Sequence, residues 1–145
     1  MITVRQILQN KANQIWSITP DAPVYDALKL MADKEIGALV VLDGGRSIGI
    51  ISERDYARKM ILEQRRSTDT PVKEIMCQDV ISVCPEQSIE ECMALMTDKR
   101  VRHLTVCEDG WLVGIVSIGD VVKAIISQHA CMIEQLQRYI EQGVC

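Results

Sequence analysis

A serine followed three positions later by an aspartate occurs twice in this chain, each time behind the same approach. The two stretches are Gly49-Ile50-Ile51-Ser52-Glu53-Arg54-Asp55 and Gly114-Ile115-Val116-Ser117-Ile118-Gly119-Asp120, 65 positions apart. These residue types suit recognition better than bond breaking. A serine hydroxyl can hydrogen-bond a phosphate, a carboxylate can accept bonds from both ribose hydroxyls, and the N–H groups at a helix start favour an anion. The glycine leaves room for a ligand beside the strand. The same spacing also has a purely structural use, because in a S-x-x-D capping box the serine and the acid close the first helical turn on each other.

The remaining reactive side chains are His103, His129 and six cysteines. Cys77, Cys84, Cys92, Cys107, Cys131 and Cys145 form no C-x-x-C pair, and four of them fill apolar slots of the second repeat. Cys92 and Cys107 stand where the first repeat has Ala27 and Leu42, so they read as small core hydrophobes in a reducing compartment. His129 and Cys131 are two apart on a helix and do not share a face. No catalytic residue and no metal site are expected from these spacings.

The elements that must position the two motifs follow from hydrophobic spacing. Thr3 and Gln6 have capping-box spacing, and Val4, Ile7 and Leu8 share one face of a short lead helix. Ile15 to Ile18 reads as a brief strand closed by the prolines at 20 and 23. Val24, Ala27, Leu28 and Met31 predict an amphipathic helix ending near Gly37. Ala38 to Leu42 is a strand apolar on both faces, Asp43-Gly44-Gly45 a tight turn, and Ser47 to Ile51 the returning strand. A helix through Tyr56, Met60 and Ile61 completes a β-α-β-β-α unit.

Residues 65–71 are polar and link this unit to its copy, where Thr70 can cap and Pro71 can open a lead helix Val72–Met76. Leu30/Leu95, Met31/Met96, Leu39/Leu104, Val41/Val106, Gly49/Gly114, Ser52/Ser117 and Asp55/Asp120 then coincide without a gap. The fold class expected is α+β, built from two such repeats with an extended C-terminal helix. The segments are 1–66, 67–126 and a helical tail at 127–145. The tail pattern Ile125, Met132, Ile133, Leu136, Tyr139 and Ile140, with the Glu134–Arg138 pair, suggests packing against a second copy, hence a homodimer.

Composition narrows the partners. At 145 residues the chain can bury roughly 68–70% of its unfolded surface without staples. A net charge of −4, no Phe and 3% aromatics offer neither a basic face nor a stacking platform for nucleic acid. No apolar run approaches a membrane span, and Met1 to Arg5 lacks a signal peptide's build. A cytoplasmic, soluble protein is expected.

The duplicated unit, the paired G-h-h-S-x-x-D motifs (h apolar) and the strand Val101-Arg102-His103-Leu104-Thr105-Val106 resemble a tandem pair of CBS domains, also called a Bateman module. Ile36 to Val41 and Ser52 to Lys59 are similar to the bacterial stand-alone CBS-pair proteins of signal transduction. The resemblance implies two repeats packed about a pseudo-twofold axis, with two clefts for adenine nucleotides such as AMP, ATP or NAD. One cleft would use Ile50, Ser52 and Asp55 with Ala38, closed by Ile81, Val101 and Arg102. The other would use Ile115, Ser117 and Asp120 with His103, closed by Trp16, Ile36 and Gly37. Asp would hold ribose and Ser a phosphate. His103 stands where the family places a phosphate-binding basic residue, whereas Ala38 brings no charge, so Arg54, helped by Arg58 and Lys59, would serve the first cleft.

The function implied is a regulatory module that senses nucleotide state and signals to an unidentified partner protein through differential affinity of two conformations. Two alternatives stand beside it: an adaptor whose serines and aspartates only cap helices, and an enzyme. The barrel of the CBS-bearing dehydrogenases cannot fit in this length.

Overall fold

A computed structural model describes residues 2–10 and 15–142 of the chain. Cys145 lies outside them, as do residues 11–14 between the lead helix and the first strand. The described residues divide into two compact units, Gln14–Ile81 and Met1–Asn13 with Ser82–Cys145.

In the first unit, β1 (Ser17–Ile18) runs parallel to β2 (Ala38–Asp43), and β2 pairs antiparallel with β3 (Arg46–Ser52). The helical spacing from Val24 yields α2 (Val24–Lys34), which buries Val24, Ala27 and Met31. It stops before Gly37, because Glu35 adopts the left-handed conformation (φ 54°) and returns its N–H to Ala32 and Met31. Gly44 and Gly45 take the positive φ angles that the tight β2–β3 turn requires. Leu39, Val41 and Ile51 meet α2 and Met60 in one apolar core. After Ser52 the chain makes a single α-turn, α3 (Glu53–Asp55), and then widens into π-type turns over Tyr56–Ile61.

The second unit repeats this order. The strands are β4 (Ser82–Val83), β5 (His103–Glu108) and β6 (Trp111–Ser117), paired parallel and then antiparallel in the equivalent register. Its first helix, α4 (Ile89–Lys99), buries Ile89, Cys92 and Met96, and Ser88 caps it by accepting from Glu91 N. The S-x-x-D helix and the tail form one continuous helix of 24 residues, α5 (Ile118–Glu141).

The lead segments are exchanged relative to the sequence segments 1–66 and 67–126. The lead helix αL (Val4–Asn10) belongs to the unit of β4–β6, where Val4 N donates to Gln87 O (2.9 Å), Arg5 N to Pro85 O (2.9 Å), and Ile89 N to Ile2 O (3.1 Å). In the unit of β1–β3 the equivalent bonds are Val72 N to Ala22 O (2.8 Å), Lys73 N to Pro20 O (3.0 Å) and Val24 N to Thr70 O (2.8 Å). Each lead segment thus satisfies the backbone of the loop before a repeat's first helix, where a buried donor left alone would be costly. Thr3 and Gln6 close the turn expected of them, Thr3 N donating to Gln6 Oε1 at 2.9 Å. The second lead segment differs from its expected helix: Val72–Glu74 makes only one 3-10 turn after Pro71, and Thr70 Oγ1 donates back to Arg66 O instead of capping it.

Candidate functional site

β3 and β6 end on the two serines, and each serine starts a helix because its side chain and the aspartate three positions on exchange hydrogen bonds. Asp55 N donates to Ser52 Oγ (3.2 Å), while Ser52 N and Ser52 Oγ both donate to Asp55 Oδ2 (3.0 Å each). Ser117 N donates to Asp120 Oδ2 (2.8 Å) and Asp120 N to Ser117 Oγ (3.1 Å). Both motifs are therefore complete capping boxes. A carboxylate keeps further lone pairs after such bonds, so capping by itself does not exhaust the acceptor capacity of Asp55.

In the unit of β1–β3, Ala38 lies opposite Ser52 in the β2–β3 register, and Glu53 N donates to Gly37 O at 3.1 Å. Ile36, Gly37 and Ala38 are thereby held beside the start of the S-x-x-D turn. Trp16 O receives Val40 N at 3.4 Å, and the Lys34 ammonium sits 4.3 Å from the centroid of the Trp16 ring. Ile50 is buried, and its backbone is bonded in both directions to Cys77 (3.0 and 2.8 Å). Arg54 is half-buried, Arg58 exposed, and Ile81 half-buried at the unit's end.

The cation that reaches the aspartate is Lys59. Its Nζ is 3.8 Å from Asp55 Oδ1 and donates to Ile75 O at 3.0 Å. The Asp55 side chain is one-fifth exposed, and its Oδ1 lies beside a positive charge.

In the unit of β4–β6, His103 lies opposite Ser117 and Ile118 N donates to Arg102 O (2.9 Å), the equivalents of the Ala38 and Gly37 relations. Val101 N closes the end of α4 on Met96 O (3.1 Å), and Ile115 pairs with Thr105. Asp120 opens onto a groove of about 260 Å³ between αL and α5, lined also by Ile7, Asn10, Lys123 and Ser127. Lys123, three residues after Asp120, is the equivalent of Arg58. Sequence reading missed it, although its i, i+3 spacing was available as a signal.

Trp16, Ile36, Gly37, Ala38, Ile50, Ser52, Arg54, Asp55 and Ile81 belong to one unit, and Val101, Arg102, His103, Ile115, Ser117 and Asp120 to the other. The expectation for the glycines is corrected. Gly49 and Gly114 do not leave room for a ligand, because the space beside them is filled by Met76 and Cys77 in one unit and by Leu8 in the other. The cysteine reading holds for Cys92, which is buried, while Cys77 and Cys107 are half-buried and Cys84 and Cys131 exposed. Among the described residues no group of three or more His, Cys, Asp or Glu side chains could hold a metal. No helix among them is long and apolar enough to cross a membrane.

The model of the CBS domain matches residues 2–62 and 72–127. A mitochondrial CBS domain-containing protein of Arabidopsis thaliana, CBSX3, is 40% identical over 97% of this chain and 73% of its own length. Among solved structures, a chain from Burkholderia ambifaria MC40-6 described as a signal-transduction protein with CBS domains shares 53% identity, with a TM-score of 0.84 over 87% of this chain and 95% of that one. The CBS domain pair of protein MJ0100, solved in complex with methylthioadenosine and S-adenosyl-L-methionine, shares the fold at 20% identity, with a TM-score of 0.76 over 88% of this chain and 98% of that one. Two sheet units in the same order, each ending on a Ser-x-x-Asp cap, and a family match over both repeats show that this chain is a tandem pair of CBS domains and belongs to the CBS-domain family.

Proposed function

We propose that this CBS pair is a regulatory module that binds an adenosine-containing ligand of the AMP, ATP or NAD type and signals its presence to another protein. The observation that carries the reading is Asp55 Oδ1, on a partly exposed side chain, with Lys59 at 3.8 Å: a carboxylate for ribose beside a cation for phosphate. Support comes also from the MJ0100 pair, whose two ligands both contain adenosine. The cleft assignments given by the family resemblance are part of the proposal, with Lys59 now taking the role first given to Arg54. In both motifs the first and third helical N–H groups are already bonded within the unit. The middle ones, Arg54 N and Gly119 N, are the donors assigned to a phosphate. The role proposed is binding and signalling rather than catalysis, in a cytoplasmic setting.

The test is thermal melting with AMP, ADP, ATP, NAD, NADH and S-adenosylmethionine. A ligand at 100 times its dissociation constant adds about 2.7 kcal/mol and raises the melting temperature. No shift with any of the six rejects the sensor and leaves the adaptor reading, which the complete capping boxes favour.

The assembly we propose is a homodimer through α5. Val122, Ile125, His129, Met132, Leu136 and Tyr139 fall at alternating three- and four-residue steps, and Ile126, Ile133 and Ile140 widen the stripe. Eight apolar side chains on this helix are exposed, from Val122 at 45% to Ile140 at 73%. They offer roughly 900 Å² per copy, about the amount each partner of a standard interface buries. A second copy carries the same seven-residue repeat, so it is the occupant whose periodicity fits.

A further inference from the structure

We propose that Cys84 and Cys107 form a reversible disulfide under oxidising conditions, a modification site that the nucleotide reading does not use. β4 and β5 are parallel neighbours with Ser82 opposite Thr105 and Val83 opposite Val106. The next pair in that register is Cys84 and Cys107. Side chains alternate along a strand, and the Ser82 and Thr105 hydroxyls touch at 2.6 Å, so the two cysteines project from the same sheet face as that pair. Cys107 leans toward β4 on this face, its Sγ lying 3.8 Å from Ser82 Oγ. Cys84 directly follows β4, and Pro85 after it favours an extended backbone there, which would carry the register one residue further.

Neighbouring strands lie about 4.8 Å apart, inside the 4.4–6.8 Å window of Cα separations that a disulfide bridges. Access is open as well, with Cys84 exposed and Cys107 half-buried. The bond would staple the two-residue β4 to β5, directly beside the Pro85–Ser88 loop that receives αL.

The oxidant is a small-molecule disulfide such as oxidised glutathione. The Cys84 thiolate attacks one of its sulfurs, expelling one glutathione thiolate and leaving a mixed disulfide. The Cys107 thiolate then attacks the Cys84 sulfur and expels the second glutathione. Two electrons and two protons pass from the protein to glutathione, which leaves as two thiols.

The test uses the full chain, reduced, desalted and then incubated with oxidised glutathione. Cleavage after Lys, Arg, Asp and Glu leaves Cys84 in peptide 80–86 and Cys107 in peptide 103–108. The expected product is these two peptides joined, in protein of monomer mass on a denaturing non-reducing gel, and separated again by dithiothreitol. Cys84→Ser and Cys107→Ser each abolish the joined pair, whereas Cys92→Ser and Cys131→Ser retain it. Any other cysteine joined to 80–86 in place of 103–108 would overturn the proposal, as would glutathione adducts without the cross-link, or no oxidation at all. Because Cys84 is exposed, its serine variant is not expected to disturb folding, and unchanged circular dichroism checks that.

Discussion

Gly49 lies so close to Met76 that a Cβ on the glycine would stand 2.8 Å from the methionine Sδ and 2.9 Å from Cys77 O. Gly114 stands in the same relation to Leu8, whose Cδ2 would be 2.6 Å away. The motif glycine is thus the seat of a lead segment. Gly49→Ala meets a backbone oxygen that cannot yield and is expected to cost about 1–3 kcal/mol, read from the urea midpoint. Gly114→Ala meets only the end of a side chain, so its cost should largely disappear in the Leu8→Ala background. Equal costs that persist in that background would contradict this account.

Asp55 and Asp120 each cap a helix, so alanine at either position should cost about 0.5–2 kcal/mol with no ligand present. The informative quantity is therefore the ligand-induced shift measured against each variant's own melting point. Asp55→Asn and Asp120→Asn, which keep an acceptor oxygen, are expected to retain most of the stability and to reduce the nucleotide shift to unequal extents. Lys59→Ala should weaken nucleotides with more phosphates more than it weakens adenosine. If adenosine and ATP weaken equally, Lys59 does not contact phosphate.

A charge placed in the α5 stripe should dissociate the assembly without unfolding either unit. Leu136→Glu, at a position 61% exposed, is expected to give monomer mass by light scattering with unchanged helical circular dichroism. A wild-type mass of one chain at micromolar concentration, or of more than two, would rule out the proposed dimer.

Arg5 ties αL to the 85–88 loop through Glu86 (2.7 Å) and to the end of β5 through Glu108 (2.8 Å). The hydrogen bond from Arg5 lowers the Glu86 carboxyl, and the bonds that Arg5 donates to Glu108 and Glu86 raise its guanidinium. A carboxyl lowered on folding contributes stability that is full above the unfolded value and is lost as pH falls through the folded one. Acidification should therefore loosen αL, seen as faster amide exchange at Val4 and Arg5. Glu86→Gln should flatten that acid-side change, and an unaltered pH profile in the variant would refute it.

Cys92 is buried, and burial pushes its thiol up, with the charge of Glu91 adding to the effect. Iodoacetamide should label the exposed Cys84 and Cys131 in the native protein and Cys92 only after denaturation. Native labelling of Cys92 at the rate of Cys131 would show that the α4 face opens.

Local features were legible in the sequence because neighbouring residues cause them. The capping boxes at Ser52 and Ser117, the β2–β3 turn at Gly44-Gly45, the helix from Val24 and the duplication itself follow from spacing alone. Where local signals compete, reading was weaker. The 3-10 turn at Val72–Glu74 stands where the repeat pattern predicts a helix, and α2 ends on a left-handed glutamate before Gly37.

The amino-acid sequence by itself determined that there are two equivalent strand-turn-helix units and that each ends on a Ser-x-x-Asp cap, since backbone preference and short-range hydrogen bonds need no distant partner. Only the tertiary structure decided which sheet each lead segment joins, that Met76 and Leu8 occupy the space beside the glycines, that Lys59 reaches Asp55, and that β4 pairs with β5 in the register that ends just before Cys84 and Cys107. Three of these relations join residues 27 to 106 positions apart or rest on strand pairing, which chain spacing does not specify. The Lys59–Asp55 approach is local, yet the bond from Lys59 to Ile75 O is what holds the ammonium on that side.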